Sequence, residues 1–346
     1  MSPVGQPERA TQNRVLVLFR EELGYRYLGD WTDREQNSNI EEGLLTDYLA
    51  KLSYTPAQIS RALYLLKIEA DNHSRNLYGN NQAVYKLLRY GVPVKTEAGK
   101  VTETVHLINW REPGNNDFAI AEEVTLKGSH ARRPDLVLYV NGIAVGVIEL
   151  KNSRVSIGDG IRQSLSNQLP EFNAWFFSTV QFLFAGNDSE GLQYGTIGTQ
   201  EKYFLKWKED EQDNRRFKLD KYLLKLCAKD RLIELIHDFI LFDSGMKKLP
   251  RVHQYFGIKA AQDSVRRRKG GIIWHTQGSG KSIVMVLLAK WVLENNPHAR
   301  VAIVTDRDEL DKQIERVFTE VGEPITRTSS GRDMMSRLGQ ATPRLM

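Results

Sequence analysis

Apolar positions fall at helical spacing over residues 8–24, where Val15, Leu18, Phe19 and Leu23 share one face and Gly24 supplies a stop. The same period predicts helices over about residues 40–52, 56–71 and 79–90. Thr55-Pro56 puts proline at a helix start, where its missing N–H is no loss, and Gly91 with Pro93 closes this helical region. From Val101 to Gln181 the pattern changes to short runs rich in Val, Ile and Phe, divided by Gly-Lys, Pro-Gly-Asn-Asn, Asn-Gly and Gly-Asp-Gly turns. That pattern predicts strands over 101–109, 117–126, 136–140, 143–150 and 180–185, with a helix over 159–169 that stops before Pro170.

Residues 186–250 are mixed, with a polar stretch at Lys208–Asn214 and a helix around 230–242. The remainder alternates strand (271–275), helix (282–294), strand (300–305) and helix (308–318), the βαβ order of a parallel sheet. The expected fold class is therefore α/β throughout. Two domains, 1–235 and 236–346, suit a chain longer than one core usually supports.

Composition narrows the class only a little. With 41% hydrophobic and 26% charged residues, no long uncharged apolar stretch and no signal-like amino terminus, the sequence reads as a soluble, cytoplasmic protein. A single cysteine, Cys227, excludes an intrachain disulfide and a cysteine-based zinc site, so a metal would be held by oxygen ligands. The net charge of +5 suits a polyanionic partner and suits solubility equally well. The densest basic run, Arg266–Lys269, fits a solvated helix end or a phosphate contact.

Two motifs carry chemistry. In Gly271–Ser282 an apolar run leads into Thr276-Gln277-Gly278-Ser279-Gly280-Lys281-Ser282 and then a helix, the order of a phosphate-binding loop. Its glycines let backbone N–H groups and the helix amino end surround phosphate oxygens. Lys281 would reach the β- and γ-phosphates of ATP, and Ser282 would ligate Mg2+. His275 stands where the common form of this loop has its first glycine. Asp308-Glu309-Leu310-Asp311 follows an apolar run but begins a helix, so it is not read as the metal-holding acidic box of a motor; Asp306 keeps a minor claim as a metal-proximal acid.

The second motif is Pro134-Asp135 followed, after 13 residues, by Glu149-Leu150-Lys151. Glu149 and Lys151 alternate onto one face of a strand. Two carboxylates can hold Mg2+ against a scissile phosphate, while a lysine orients or deprotonates water and stabilises developing charge. A solvent-facing pair on an edge strand is the plainer reading, and the apolar flanks oppose it. Parity adds a condition. A regular two-residue turn at Asn141-Gly142 would set Asp135 opposite Ile148 and turn it away from Glu149, so a shared metal requires a longer loop, a bulge near Gly146 or a bend at Pro134.

The form His275–Ser282 resembles superfamily 2 translocases, particularly the motor (R) subunits of type I restriction-modification enzymes. Asn115–Phe118, Arg132–Asp135, Asn141-Gly142 and Trp274–Ser282 occur in the order expected of those subunits, so the resemblance covers roughly residues 80–318. It implies a PD-(D/E)xK nuclease-like mixed sheet followed by the start of a RecA-like motor lobe. It also implies cleavage of double-stranded DNA coupled to ATP-driven translocation, in assembly with methyltransferase and specificity subunits. Gln254, 27 positions before Lys281, resembles that superfamily's adenine-reading glutamine, and it fits a surface side chain beside Tyr255-Phe256 as well. Gln163 stands where the nuclease family has the glutamine of a Gln-x-x-x-Tyr motif; Asn167 replaces the tyrosine, which leaves Asn167 and Gln168 weak candidates. A helicase-nuclease of DNA repair, a modification-dependent restriction enzyme and a non-catalytic DNA-binding scaffold are the competing readings.

Overall fold

The computed structural model describes residues 8–346 apart from 98, 100, 129, 210–212, 214, 306–307 and 321–324. The chain divides into one compact unit that runs to His237 and a second that starts at Asp238.

The first unit opens with α1 (Glu8–Val17), which widens into a π-helical turn over Leu18–Glu22 closed by Leu23 N–H on the Leu18 carbonyl at 3.2 Å. Strand β1 (Arg26–Asp30) follows, then α2 (Glu42–Lys51), α3 (Pro56–Ala70) and α4 (Leu77–Tyr90). The last two begin where side-chain caps dictate. Thr55 Oγ1 accepts from Gln58 N at 3.3 Å while Gln58 Oε1 takes Thr55 N at 2.8 Å, and Asn76 Oδ1 accepts from Gly79 N at 2.9 Å. Strands β2 (Val92–Val94) and β3 (Glu103–Val105) form a small antiparallel ladder. The strand expected over 101–109 is thus a three-residue one, because only that stretch finds a partner.

The main sheet is completed by β4 (Phe118–Glu122), β5 (Leu136–Val140), β6 (Ile143–Leu150), β7 (Phe182–Asn187), β8 (Gly191–Gly195) and β9 (Leu205–Lys206). Its order is β1-β4-β5-β6-β7-β8-β9, parallel between β1 and β4 and between β6 and β7, antiparallel elsewhere. Helix α5 (Ile157–Asn167) makes the crossover from β6 to β7; Ser156 caps it by accepting from Gly158 N at 3.2 Å. Central strands β4, β5, β6 and β7 are buried at every residue, which is why they read as continuous apolar runs. One face of the sheet, carrying Ala121, Val137, Val147 and Leu183, packs with Ile157 and Ile161 of α5 into a single core. Helices α6 (Lys218–Cys227) and α7 (Lys229–Asp238) close the unit, α6 against β8.

In the second unit a hairpin, β10 (Leu241–Asp243) with β11 (Met246–Lys248), precedes α8 (Val252–Arg266), α9 (Lys281–Asn295), α10 (Asp308–Glu320) and α11 (Gly331–Leu338). α9 packs on both α8 and α10. The basic run at Arg266–Lys269 closes α8, with Arg267 paired to Asp263 at 2.8 Å, as a solvated helix end does. The strands expected over 271–275 and 300–305 are not formed. The first lies in no ladder and leaves Ile272 93% and Trp274 91% exposed, while the second contributes a single parallel bridge, Val301 to Leu345. An apolar run signals what a segment would bury but does not supply the neighbouring strand it needs.

Candidate functional site

The β5–β6 hairpin sets the geometry of the first site. Asn141 and Gly142 both have positive φ, 53° and 82°, as a two-residue type I′ turn requires. Asn141 is fully buried and holds the turn in place: its Oδ1 accepts from Asp117 N at 2.7 Å and its Nδ2 donates to the Leu107 carbonyl at 2.9 Å. The pairing then slips by one residue. Val140 faces Ile143 and Tyr139 faces Ala144, but Leu138 faces Gly146 and Leu136 faces Ile148, so Val145 is an extra residue on β6. The bulge restores the parity that a regular hairpin denies. Continued one step, the register sets Asp135 opposite Glu149 on one face, and Lys151 lies two residues further along that face.

Both acids are removed from solvent, Glu149 entirely. Asp135 Oδ2 accepts from Leu150 N at 2.6 Å, which fixes its carboxylate across the ladder. Gln163, on α5, donates Nε2 to Glu149 Oε2 at 2.8 Å; Glu149 Oε1 is buried with no hydrogen-bond partner. Burial pushes the Asp135 carboxyl up to about 6 against the Leu150 N–H and the attraction of Lys151, and burial, then the charge of Asp135, holds Glu149 well above the usual carboxylate range. For Lys151 burial works downward, but Asp135, Glu149 and Glu8 outweigh it and hold the ammonium charged above its ordinary range.

A cleft of about 350 Å³ opens on Asp135, Lys151 and Gln163, and α1 supplies much of its wall through Glu8, Arg9 and Gln12. Glu8 Oε1 lies 3.3 Å from Lys151 Nζ, and Gln12 Nε2 donates to Glu122 Oε2 at 3.1 Å. Sequence reasoning missed these α1 residues, because no local pattern ties a helix at the amino end to a hairpin more than a hundred residues on. The sequence candidates Asp135, Glu149, Lys151 and Gln163 do converge here. Asn167 does not: one turn beyond Gln163, it is buried and its amide finds no hydrogen-bond partner. Gln168 serves the fold, with Nε2 on the Ser164 carbonyl at 2.9 Å and Oε1 accepting from Gly198 N at 3.0 Å. Among the described residues no three His, Cys, Asp or Glu side chains converge as a ready metal cage. Asp135 and Glu149 are the two carboxylates that could hold a cation here, and the unpartnered Glu149 Oε1 is the kind of buried oxygen a cation would satisfy.

In the second unit, Thr276–Gly280 form a turn that runs directly into α9, placing Lys281 and Ser282 in its first turn. Gly278 and Gly280 both have positive φ, 75° and 84°. Gly280 is doubly constrained, since a Cβ there would come within 2.5 Å of Gln254 Nε2. Lys281 Nζ rests 3.3 Å from the carbonyls of both His275 and Thr276, curled over the loop. Gln254 is buried; its Nε2 donates to the Ser279 carbonyl at 2.8 Å and its Oε1 accepts from Arg251 N at 2.9 Å, so its amide ties the start of α8 to the loop. His253 and His275 meet edge to face with ring centroids 5.0 Å apart; burial first, then the charges of His253 and Lys281, keeps His275 below its ordinary value. Asp308 begins α10 as expected; Asp306 lies outside the described residues.

A family model described as type I restriction enzyme R protein N terminus matches residues 5–202, more than half of the chain. The chain belongs to the type I restriction enzyme R protein family. A second model, for SWI2/SNF2 ATPases, matches residues 253–346, the part that holds the Thr276–Gly280 turn and Lys281. The chain is 31% identical over 299 residues to the HindI type I restriction endonuclease subunit of Haemophilus influenzae, covering 77% of this chain and 26% of that one. It is 23% identical over 330 residues to a type I restriction endonuclease subunit of Staphylococcus aureus, covering 91% and 33%. The R protein chain thus spans about a quarter to a third of the length of these relatives. No helix among its described residues is long and apolar enough to cross a membrane.

Proposed function

We propose that the first unit hydrolyses backbone phosphodiesters of double-stranded DNA with Mg2+, and that the second binds ATP to drive DNA translocation. By family analogy both would act in assembly with methyltransferase and specificity subunits, in the cytoplasm. One observation carries the nuclease reading: Asp135 and Glu149 sit on one face through the Val145 bulge, with Glu149 Oε1 buried and unpartnered. Asp135 and Glu149 would hold the cation, which when bound supplies charge neutralisation and polarisation of the phosphoryl group.

The chain's own groups divide the remaining work. Gln163 takes one oxygen of Glu149 and so fixes the direction of the other. Lys151, held as an ammonium by its carboxylate neighbours, suits orienting water and stabilising negative charge at the phosphate better than removing a proton. Burial of the strand end keeps both acids in a low-dielectric setting, where a fixed positive charge acts more strongly than in water. In the second unit, Lys281 Nζ would exchange two carbonyl contacts for β- and γ-phosphate oxygens, with the N–H groups of Thr276–Gly280 around them and Ser282 beside Mg2+. Gln254 supports the loop through Ser279 in the arrangement seen; reading adenine would require it to release that bond.

Plasmid cleavage by the complete subunit, assembled with its partner subunits, tests the nuclease reading. Lys151→Ala should assemble and bind DNA while losing cleavage by at least about a hundredfold, the order of one electrostatic group aimed at developing charge. A variant that cuts at the wild-type rate refutes it.

A further inference from the structure

The lining of the cleft includes two arginines that the proposed cutting chemistry does not use. Arg133 precedes the Pro134-Asp135 pair, and Arg9 lies one residue beyond Glu8 on α1. Their side chains are 52% and 51% exposed, and both are held from below by carboxylates. Arg133 Nε sits 2.8 Å from Glu123 Oε2. Arg9 Nη1 sits 2.8 Å from Glu122 Oε2 and 3.4 Å from Glu123 Oε1.

Glu123 is the pivot of this arrangement. It has a left-handed φ of 51°, uncommon for a residue other than glycine, immediately after β4, and its N–H donates to the Asp135 carbonyl at 2.8 Å. That bond places its carboxylate beside the metal-binding candidate, where Gln12 Nε2 also donates to it at 3.1 Å. A strained residue tied to Asp135 on one side and to two guanidinium groups on the other fixes where those groups stand relative to the acids.

Each guanidinium is anchored by part of its donor set. Arg133 meets Glu123 through Nε, and Arg9 meets Glu122 and Glu123 through Nη1, while half of each side chain stays exposed to a further partner. A planar fork of this kind matches the paired oxygens of a phosphate, and an anchored fork loses little freedom on binding one. Arg9 and Arg133 balance the charges of Glu122 and Glu123, so what this rim offers a phosphate is placed N–H donors on two half-exposed guanidinium groups rather than surplus charge.

We infer that Arg9 and Arg133 grip backbone phosphates of the duplex next to the one attacked, and that Glu123 is the positioning residue that sets them. The inference rests on the nuclease reading for its substrate class. A free phosphate anion has the same chemistry, so the test separates the two sources.

Arg133→Ala carries the test, because its anchor Glu123 keeps Gln12 and Arg9, whereas removing Arg9 would strip the buried Glu122 of its charge partner. Binding of a labelled blunt DNA duplex to the 346-residue chain is followed by fluorescence anisotropy over a range of salt, with Ca2+ in place of Mg2+. Arg133→Ala should weaken binding severalfold and lower the slope of log affinity against log salt by about 0.9, the value for one phosphate contact. Arg133→Lys should keep the slope and bind more weakly than the wild type, since the charge survives and the fork does not. Unchanged affinity and slope in Arg133→Ala overturn the inference. So does Arg133-dependent binding of inorganic phosphate alone, at constant ionic strength, that leaves DNA affinity unaffected, because it would assign the site to a free anion. Cleavage by Glu149→Gln is scored separately: if that variant cuts normally, the nuclease reading falls, and the binding data still decide the phosphate grip.

Discussion

Replacing Asp135 by Asn should stabilise the protein at neutral pH while disabling it. The folded state raises the Asp135 carboxyl from 3.8 to about 6, with burial as the first cause. A carboxyl raised on folding contributes stability below its unfolded value, and that contribution is lost as pH climbs through the folded one. At about 1.4 kcal/mol per tenfold change in proton affinity, the wild type forfeits at most about 3 kcal/mol between about pH 4 and pH 7. Asn carries no charge to desolvate, and its Oδ1 can still accept from Leu150 N, as Asp135 Oδ2 does at 2.6 Å. For a unit of this size each kcal/mol moves the melting point by roughly 2–4 °C, so Asp135→Asn should melt about 5–10 °C higher at about pH 7.5 without divalent cations. The advantage should vanish near pH 4, and Mg2+ should raise the wild type more than the variant. Circular-dichroism melts of the 346-residue chain across pH decide it. A variant melting at or below the wild type at about pH 7.5 would show that the buried acid pair is already compensated.

Two further outcomes are expected. Lys281→Ala in the complete subunit should abolish ATP turnover and leave assembly with the partner subunits intact; unchanged turnover in a phosphate-release assay contradicts the loop assignment. Gly142→Ala should cost about 2–4 kcal/mol in urea denaturation, because a side chain there combines positive φ with a Cβ within 2.8 Å of the Glu41 carbonyl and Leu44 Cβ. A loss under about 1 kcal/mol would mean the turn relaxes freely.

The hairpin that carries the acids was legible because its signals are local. Asn141-Gly142 demands two positive φ values, and the flanking apolar runs demand burial on both faces. Parity added that a shared metal would need a longer loop, a bulge near Gly146 or a bend at Pro134, and the structure has a bulge, at Val145. Strand β1 was not legible: Arg-Tyr-Leu-Gly-Asp has no alternation, and it is a strand because β4 offers an edge to pair with. The polar wall from α1 was invisible for a related reason, since Glu8, Arg9 and Gln12 look like any solvated helix face until the sheet brings Asp135 and Lys151 beside them. At 271–275 the opposite error occurs, where apolar residues fit for a strand stand exposed without a ladder.

The single extra residue in β6 also makes the site a matter of phase. Side chains along a strand point alternately to two sides, so any one-residue change in length between the Asn141-Gly142 turn and Glu149 reverses which side the acid occupies. A homologue could keep the aspartate, the glutamate and the lysine letter for letter, lose one residue from this stretch, and carry its two carboxylates back to back. On the nuclease reading, spacing within the hairpin, as well as the presence of its acids, would decide whether the two carboxylates can share a cation.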